Sequence, residues 1–563
     1  NSYKGALTIG ANFSTYNRIK REGVEVFIRQ PSEPSFDLLF SDIKENSKKE
    51  FILTKVGPNP DEIKLVLTRR TDVKNNDGVV YTLSIVHLGK EDSGLRPWRS
   101  TLYHVELWAK YASGDFMHLP YESLDLTEDK RLASLLYRNI HRYAVGHGCG
   151  ANWDTEPVGE IRSTFFPDVE VPVFKHKDIA TLSISMKHWA SGAKDYDILN
   201  DIGSGYSDWL LGQVDISSDL TDEQKALFEK NKTSVEKTVD RINSGIALLK
   251  SNEDVQFAFQ WMNQTILTQQ ITSKLKSKPS FVGAAVINGS YVGFDVLKES
   301  SWPVENSSKY GKWRLFQMAF ILMCLPDIVS NNKPAPMDLI WFPTGGGKTE
   351  AYLGVSAFLL LYERIAKQQS FGVRIIMRYT LRLLTAQQFE RAASMILALD
   401  DIRKENVAKL GERSYSIGLW VGGSVSFNKH GMPSGNWHKT VFNSNNWFDN
   451  LDYRYHNKPW PWVLQKCPRC AREFGVKEVN DKKLVYGVKR ADNDKIIFSC
   501  HCSTYEDKKL PIYIVDEDIY KELPSMVIGT VDKFTRLSWL PESSKILGVN
   551  AISRGKHSPI SLI

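Results

Sequence analysis

Long apolar runs are missing from this chain. The longest, Phe316–Leu325 and Ala357–Tyr362, fall well short of the ~20 residues a helix needs to cross a bilayer. That excludes a protein built on membrane-spanning helices, and no membrane partner is expected. No basic stretch leading into an apolar one opens the sequence, so a cytoplasmic location is expected. Cysteine is scarce, 6 in 563 residues, which excludes a disulfide scaffold. Charge of one sign is also lacking: 72 Lys and Arg face 65 Asp and Glu, for a net charge of +7. Such a balance permits a nucleic-acid partner without arguing for one. Internal repeats and low-complexity tracts are absent too. What remains, 42% apolar and 24% charged residues, is an ordinary globular composition.

At 563 residues the chain is too long for one core, and roughly three to four domains are expected. The first residue is Asn1, and Ser558–Ile563 reads as a strand interrupted midway, so a fragment of a longer protein is expected. Up to about Phe174 the pattern is extended, with alternating runs at Ile63–Leu67, Val79–Val86 and His104–Trp108 between polar and glycine-rich clusters. From about Leu220 the period changes. Thr221-Asp222-Glu223-Gln224 reads as a helix start, and Val235, Val239, Ile242, Ile246 and Leu249 recur at helical spacing, followed by a second apolar helix around Phe257–Leu267. From about Trp302 apolar strands alternate with long helices, the pattern of a parallel α/β sheet.

The strongest local signal is Met337–Glu350. An apolar stretch, expected as a strand, runs into Phe342-Pro343-Thr344-Gly345-Gly346-Gly347-Lys348-Thr349-Glu350, and a long helix is expected from Lys348. Glycines let backbone N–H groups face a phosphate, and a helix N-terminus adds its positive dipole end. Lys348 would reach the β- and γ-phosphates of ATP and the Thr349 hydroxyl would reach Mg²⁺. The strict pattern wants glycine where Phe342 stands. The Pro-Thr-Gly-X-Gly-Lys-Thr form is that of superfamily 2 motors, which these residues resemble. Upstream lies Trp313-Arg314-Leu315-Phe316-Gln317, similar to the Q motif of those motors, in which the Gln317 amide would pair with the edge of adenine and Arg314 would flank it.

Two strand-to-helix junctions downstream are candidates for nucleic-acid backbone contact. Val373–Tyr379 reads as a buried strand, after which Thr380 caps a helix bearing Arg382, Gln387, Gln388 and Arg391. Met526–Phe534 repeats the pattern with Gly529, Thr530 and Lys533, and between the two a strand ends at Gly422 and Gly423. Ile512–Asp518 has the local look of an acidic hydrolysis motif, but it precedes Thr530 where such motors place that motif after the Gly-Thr segment. The acidic pair is therefore expected beyond Ile563, and with it a second motor domain and its arginine finger.

Cys467-Pro468-Arg469-Cys470 and Cys500-His501-Cys502 offer four thiolates for a tetrahedral site, with Zn²⁺ the default occupant and a structural role expected. The CxC spacing leaves His501 as an alternative to one thiolate. Cys149, in Gly146-His147-Gly148-Cys149-Gly150, reads as part of a tight loop rather than a nucleophile, and Cys324 as core.

The set formed by Arg142–Cys149, Trp313–Gln317, Phe342–Glu350, Arg378–Arg391, Cys467–Cys470 and Leu523-Pro524 running on to Gly529–Phe534 resembles the DrmA-like superfamily 2 helicases of the bacterial DISARM phage-defence system. The resemblance implies a DNA-dependent ATPase using ATP, Mg²⁺ and Zn²⁺. It also implies DNA that is single-stranded or has single-stranded ends, a DUF1998-type partner protein, and a DNA methyltransferase alongside. The expected fold class is α/β: a RecA-like parallel-sheet motor domain, incomplete at its C-terminus, at residues 301–563, with a zinc-ribbon-like insertion at 453–510. A β-rich N-terminal domain at 1–185 and a helical subdomain at 186–300 precede it. A nucleotide-gated DNA-binding scaffold with little hydrolysis, and an RNA helicase, are the competing readings.

Overall fold

The computed structural model describes residues 6–39, 43–44, 47–56, 61–70, 79–88, 101–112, 114–119, 127–154, 156–166, 184–216, 220–275, 285–287, 290–292, 311–330, 336–340, 346–368, 372–380, 382–422, 463–479, 482–490, 496–502 and 508–548. The chain divides into two compact units, Asn1–Val173 with Leu220–Phe228, and Phe174–Asp219 with Glu229–Ile563.

The first unit is antiparallel β structure. Strands β1 (Ala6–Arg21), β2 (Val24–Ser32), β3 (Ser35–Leu39), β7 (Tyr103–Tyr111), β8 (Gly150–Trp153) and β9 (Glu160–Thr164) form one sheet in the order β2-β1-β7-β9-β8, with β3 also on β1. Strands β4 (Lys48–Val56), β5 (Asp61–Arg70) and β6 (Val80–Leu88) form another. The expected runs at Ile63–Leu67, Val79–Val86 and His104–Trp108 fall on β5, β6 and β7. Alternation explains the core: Leu7, Ile9, Ala11 and Phe13 on β1 and Ile63, Leu65 and Leu67 on β5 are all buried in one cluster, as a period of two requires of a half-covered strand. Gly10 sits opposite Trp108, and a Cβ there would lie 2.4 Å from the indole, so only glycine lets that ring cross β1. Helix α1 (Glu128–Leu136) also belongs to this unit.

The second unit carries α2 (Met186–Ala190), α3 (Asn200–Ile216), most of α4 (Asp222–Ser251), α5 (Glu253–Ser273), α6 (Leu315–Ser330), α7 (Lys348–Lys367), α8 (Arg382–Glu405) and α9 (Val407–Leu410). At the start of α4, Thr221 and Gln224 close a capping box: Gln224 N donates to Thr221 Oγ1 at 3.3 Å and Thr221 N to Gln224 Oε1 at 3.1 Å. Helix α7 is buried on almost every side, through Ala351, Leu353, Val355 and the run Ala357–Tyr362. A helix apolar all round has to be enclosed, and α5, α6 and α8 pack against it. The helices between 186 and 275 thus share one apolar cluster with the α/β part.

Strands β12 (Ile375–Tyr379), β13 (Ile417–Trp420), β18 (Ile512–Tyr513) and β19 (Met526–Thr530) make a parallel sheet in the order β12-β19-β13-β18. The last strand in sequence enters between the first two. Hairpin strands β10 (Ala285–Ile287) and β11 (Ser290–Val292) pair with each other, as do β14 (Gly475–Val479) with β15 (Lys482–Tyr486), and β16 (Val488–Arg490) with β17 (Ile496–Phe498). The last four strands lie between β13 and β18 in sequence, where the inserted module is expected. Among the described residues no helix is long and apolar enough to cross a membrane.

One expectation needs correction. The apolar stretch ahead of the glycine-rich loop is not a strand in its described part: residues 336–340 are irregular, and Met337 and Leu339 are 98% and 87% exposed. Among the described residues no strand pairs with it, and a strand needs a ladder to satisfy its backbone. Asp338 is instead gripped by Arg241 of α4, with Nη1–Oδ1 and Nη2–Oδ2 distances of 2.6 and 2.8 Å.

Charge inside this core is paired. Glu363 on α7 and Arg374, just before β12, are 3% and 4% exposed and form a two-pronged ion pair, Nε to Oε2 at 2.5 Å. Glu363→Ala would leave the guanidinium buried without its counter-ion, and is expected to cost about 3–5 kcal/mol of stability. Denaturant unfolding with an unshifted midpoint would contradict this.

Candidate functional site

The described part of the phosphate-loop candidate starts at Gly346. Gly347 is the N-cap of α7 at φ +87°, a left-handed conformation that favours glycine. A Cβ there would also lie 2.8 Å from Gln317 Nε2, so a side chain at this position would have to displace the Gln317 amide. Lys348 and Thr349 open α7, whose first-turn N–H groups lack intrahelical acceptors. Pro343, Thr344 and Gly345 lie outside the described residues.

The structure brings the upstream pair to this turn. Gln317, 3% exposed in the first turn of α6, donates from Nε2 to the Gly347 carbonyl at 2.7 Å and accepts from the Arg314 backbone N–H at 2.9 Å. Arg314 Nη1 donates to the Gly346 carbonyl. Two consecutive loop carbonyls are thus tied to donors of one neighbouring segment. A carbonyl oxygen repels an anion, so tying both down favours a loop that presents N–H groups to a phosphate. Both ends of the Gln317 amide are engaged here, so an adenine contact would share the amide with Gly347. Glu350, one residue beyond Thr349, pairs with Arg391 of α8, an arginine the sequence placed on a nucleic-acid face.

A second constellation lies at the carboxyl edge of the sheet. Tyr379 is in register with Thr530, and Trp420 with Gly529, so the turns containing Thr380, Gly422 and Thr530 lie side by side. Open α/β sheets bind ligands along this edge. Thr380 is exposed, while Gly529 and Thr530 are buried. Arg382 begins α8, and its side chain lies outside the described residues. Lys533 differs from the exposed contact expected of it. It is 2% exposed, its Nζ 2.5 Å from Asp516 Oδ2 and donating to the Val421 carbonyl at 3.0 Å. The short helix Val531–Phe534 turns this side chain inward, where one ammonium ties the ends of β13, β18 and β19 together. Burial pushes the Asp516 carboxyl up to about 6, and Lys533 opposes that shift. Asp516, which has the local look of a hydrolysis residue, is thus the counter-ion of a structural brace. No spacing in the sequence announced this pairing.

The third constellation is the cysteine cluster. Cys467, Cys470, Cys500 and Cys502 bring their sulfurs within 4.8 Å of one another. Three Sγ–Sγ distances are 3.5, 3.6 and 3.3 Å. A tetrahedral zinc with ~2.3 Å bonds to sulfur spaces its ligands about 3.8 Å apart, so the donor set fits that ion with little movement. The fourth member is Cys502, not His501. Arg469, inside the CxxC turn, pairs with Asp401 of α8 at 2.9 Å and donates to the Cys502 carbonyl, which docks the cysteine turn on α8. Of the remaining cysteines, Cys149 is exposed and Cys324 is buried within α6.

No protein-family model matches the chain. The curated "DISARM protein DrmA" of Bacillus paralicheniformis is 30% identical over 519 residues, which is 87% of this chain and 42% of that relative. The chain therefore spans less than half the length of the relative it matches.

Purified protein is expected to carry about one zinc per chain by elemental analysis. Cys467→Ser or Cys502→Ser should lose it and His501→Ala should keep it; metal lost with His501→Ala would overturn the four-thiolate assignment.

Proposed function

Because similarity over 87% of its length makes this chain a DrmA-like member of the DISARM family, we propose that it is the ATP-binding part of a superfamily 2 DNA helicase or translocase acting in anti-phage defence. The observation that carries this reading is the convergence of Arg314 and Gln317 on Gly346 and Gly347 at the head of α7. Residues far apart in sequence meet where a nucleotide motor of this type needs its base-side and phosphate-side elements to meet. Gly347, left-handed at the head of α7, and the first-turn N–H groups of that helix would cradle a phosphate. Lys348 would hold the β- and γ-phosphates, Thr349 would face Mg²⁺, and Gln317 with Arg314 would keep the loop turned towards the nucleotide. ATP supplies the phosphoanhydride whose cleavage drives the motor.

The carboxyl edge is the nucleic-acid side of this proposal. The Thr380 hydroxyl and the backbone N–H groups at Gly422 and after Thr530 would receive successive phosphates of one strand, and Lys533 would hold the turns in place from beneath. Helix α8 starts at that edge and reaches Glu350 beside the phosphate loop through Arg391, a direct covalent and ionic route between the two sites. A DUF1998-type protein is the proposed partner, and the zinc turn is proposed to be structural.

In the full-length protein, ATP turnover is expected to rise with DNA, and Lys348→Ala is expected to reduce it by at least about a hundredfold, the scale on which a transition-state phosphate contact acts. The comparison is steady-state phosphate release with no nucleic acid, single-stranded DNA and duplex DNA. Turnover that survives in Lys348→Ala would remove the loop from the chemistry. No turnover in the wild type under any of these conditions would favour a nucleotide-gated scaffold instead.

A further inference from the structure

Trp539 is 83% exposed, yet the segment that carries it is firmly held. Upstream, the Phe534 ring meets the buried Trp420 edge-on at 5.1 Å, with the Arg378 guanidinium 5.9 Å from its centre. Downstream, Ser543 Oγ donates to the carbonyls of Arg536 at 3.1 Å and Leu540 at 2.6 Å, and Ile546 is buried. Trp539 N and Leu540 N both bond to the Arg536 carbonyl, at 3.0 and 2.9 Å. The indole is therefore presented to solvent from an anchored turn. An aromatic of this size normally contributes some of the largest burial in a fold, and here its flat face is held towards solvent on an anchored turn.

Its place in the chain says which contact. Between Thr530 and Trp539 lie the helix Val531–Phe534 and the 3₁₀ turn Thr535–Ser538. At ~1.5 and ~2.0 Å per residue these span at most about 14 Å of axial rise, a few nucleotides at most. The candidate phosphate contacts at the sheet edge, Thr380, Gly422, Gly529 and Thr530, are hydroxyl or backbone groups and offer no surface for a base. An exposed indole offers what they lack, since bases whose phosphates are held by a protein stack on aromatic rings whatever their identity.

We propose that Trp539 is a stacking platform for an unstacked base of the single strand whose phosphates run along the ends of β12, β13 and β19. This rests on the nucleic-acid reading of that edge and adds a discrimination to it. A base inside a duplex is already stacked on its neighbours, so the ring favours single-stranded over duplex nucleic acid.

The test is fluorescence anisotropy of the full-length protein with labelled oligo(dT), oligo(U) and a DNA duplex, each over a range of salt. Trp539→Ala is expected to weaken binding of single strands by about tenfold, with Trp539→Phe close to wild type. The slope of log Kd against log salt should stay unchanged, because the phosphates contacted are the same. Duplex affinity should move little. Weakening on oligo(dT) and oligo(U) alike supports a platform for any single strand, and weakening on oligo(dT) alone supports one confined to DNA. Equal single-strand affinity for Trp539→Ala and wild type, with matching thermal melts, would overturn the platform and leave the phosphate edge standing. A wild type that binds none of the three probes would overturn the edge reading and the platform with it.

Discussion

The enclosure of α7 is the constraint around which the second unit is organised. A helix buried on nearly all sides cannot be stabilised by one partner, so α5, α6, α8 and the sheet have to close around it. Enclosure has electrostatic consequences. Glu363 is neutralised by Arg374. Arg364, 6% exposed, lies 3.6 Å from the Tyr415 ring centre and donates to the carbonyls of Leu410 at 3.2 Å and Arg413 at 2.5 Å. Each charge drawn inward brings its own partners, as burial demands. A helix fixed this rigidly also fixes its N-terminus, and Lys348 and Thr349 are its first two residues.

The two ends of the proposed motor face are built by different means. At the head of α7, neutral and cationic donors from Arg314 and Gln317 hold backbone carbonyls, which costs little because those groups would otherwise need water. At the sheet edge a buried ion pair, Asp516 with Lys533, ties the ends of β18 and β19, strands that lie on either side of β13. Such a pair adds little net stability but specifies an arrangement when hydrogen bonds complete it. The Val421 carbonyl does so here. The position of the Thr530 turn relative to β13 thus depends on an ammonium that never reaches solvent.

The cysteine module is joined to the same core. Cys467, Phe474, Phe498 and Cys500 belong to the cluster that contains α7 and α8, and Arg469 adds an ion pair to Asp401. A metal-bound turn attached this way would stiffen α8 from its far side, while Arg391 restrains it at Glu350 in the first turn of α7.

Much of this was legible in the chain because it depends on local chemistry. Alternation located β5, β6 and β7. Thr221 and Gln224 announced the start of α4, the glycines before Lys348 announced the head of α7, and the CxxC and CxC pairs announced the gathering of four cysteines. These signals need only a few neighbouring residues, and a period or a spacing records them. The tertiary structure alone decided what lies between distant segments. It made Cys502 rather than His501 the fourth member of the cysteine cluster, turned Lys533 inward to Asp516, left residues 336–340 irregular, and set Arg391 on Glu350. Each of these depends on which segments the closing of the core around α7 brings together, and a pairing between residues in different elements, such as Arg391 and Glu350, leaves no trace in local composition.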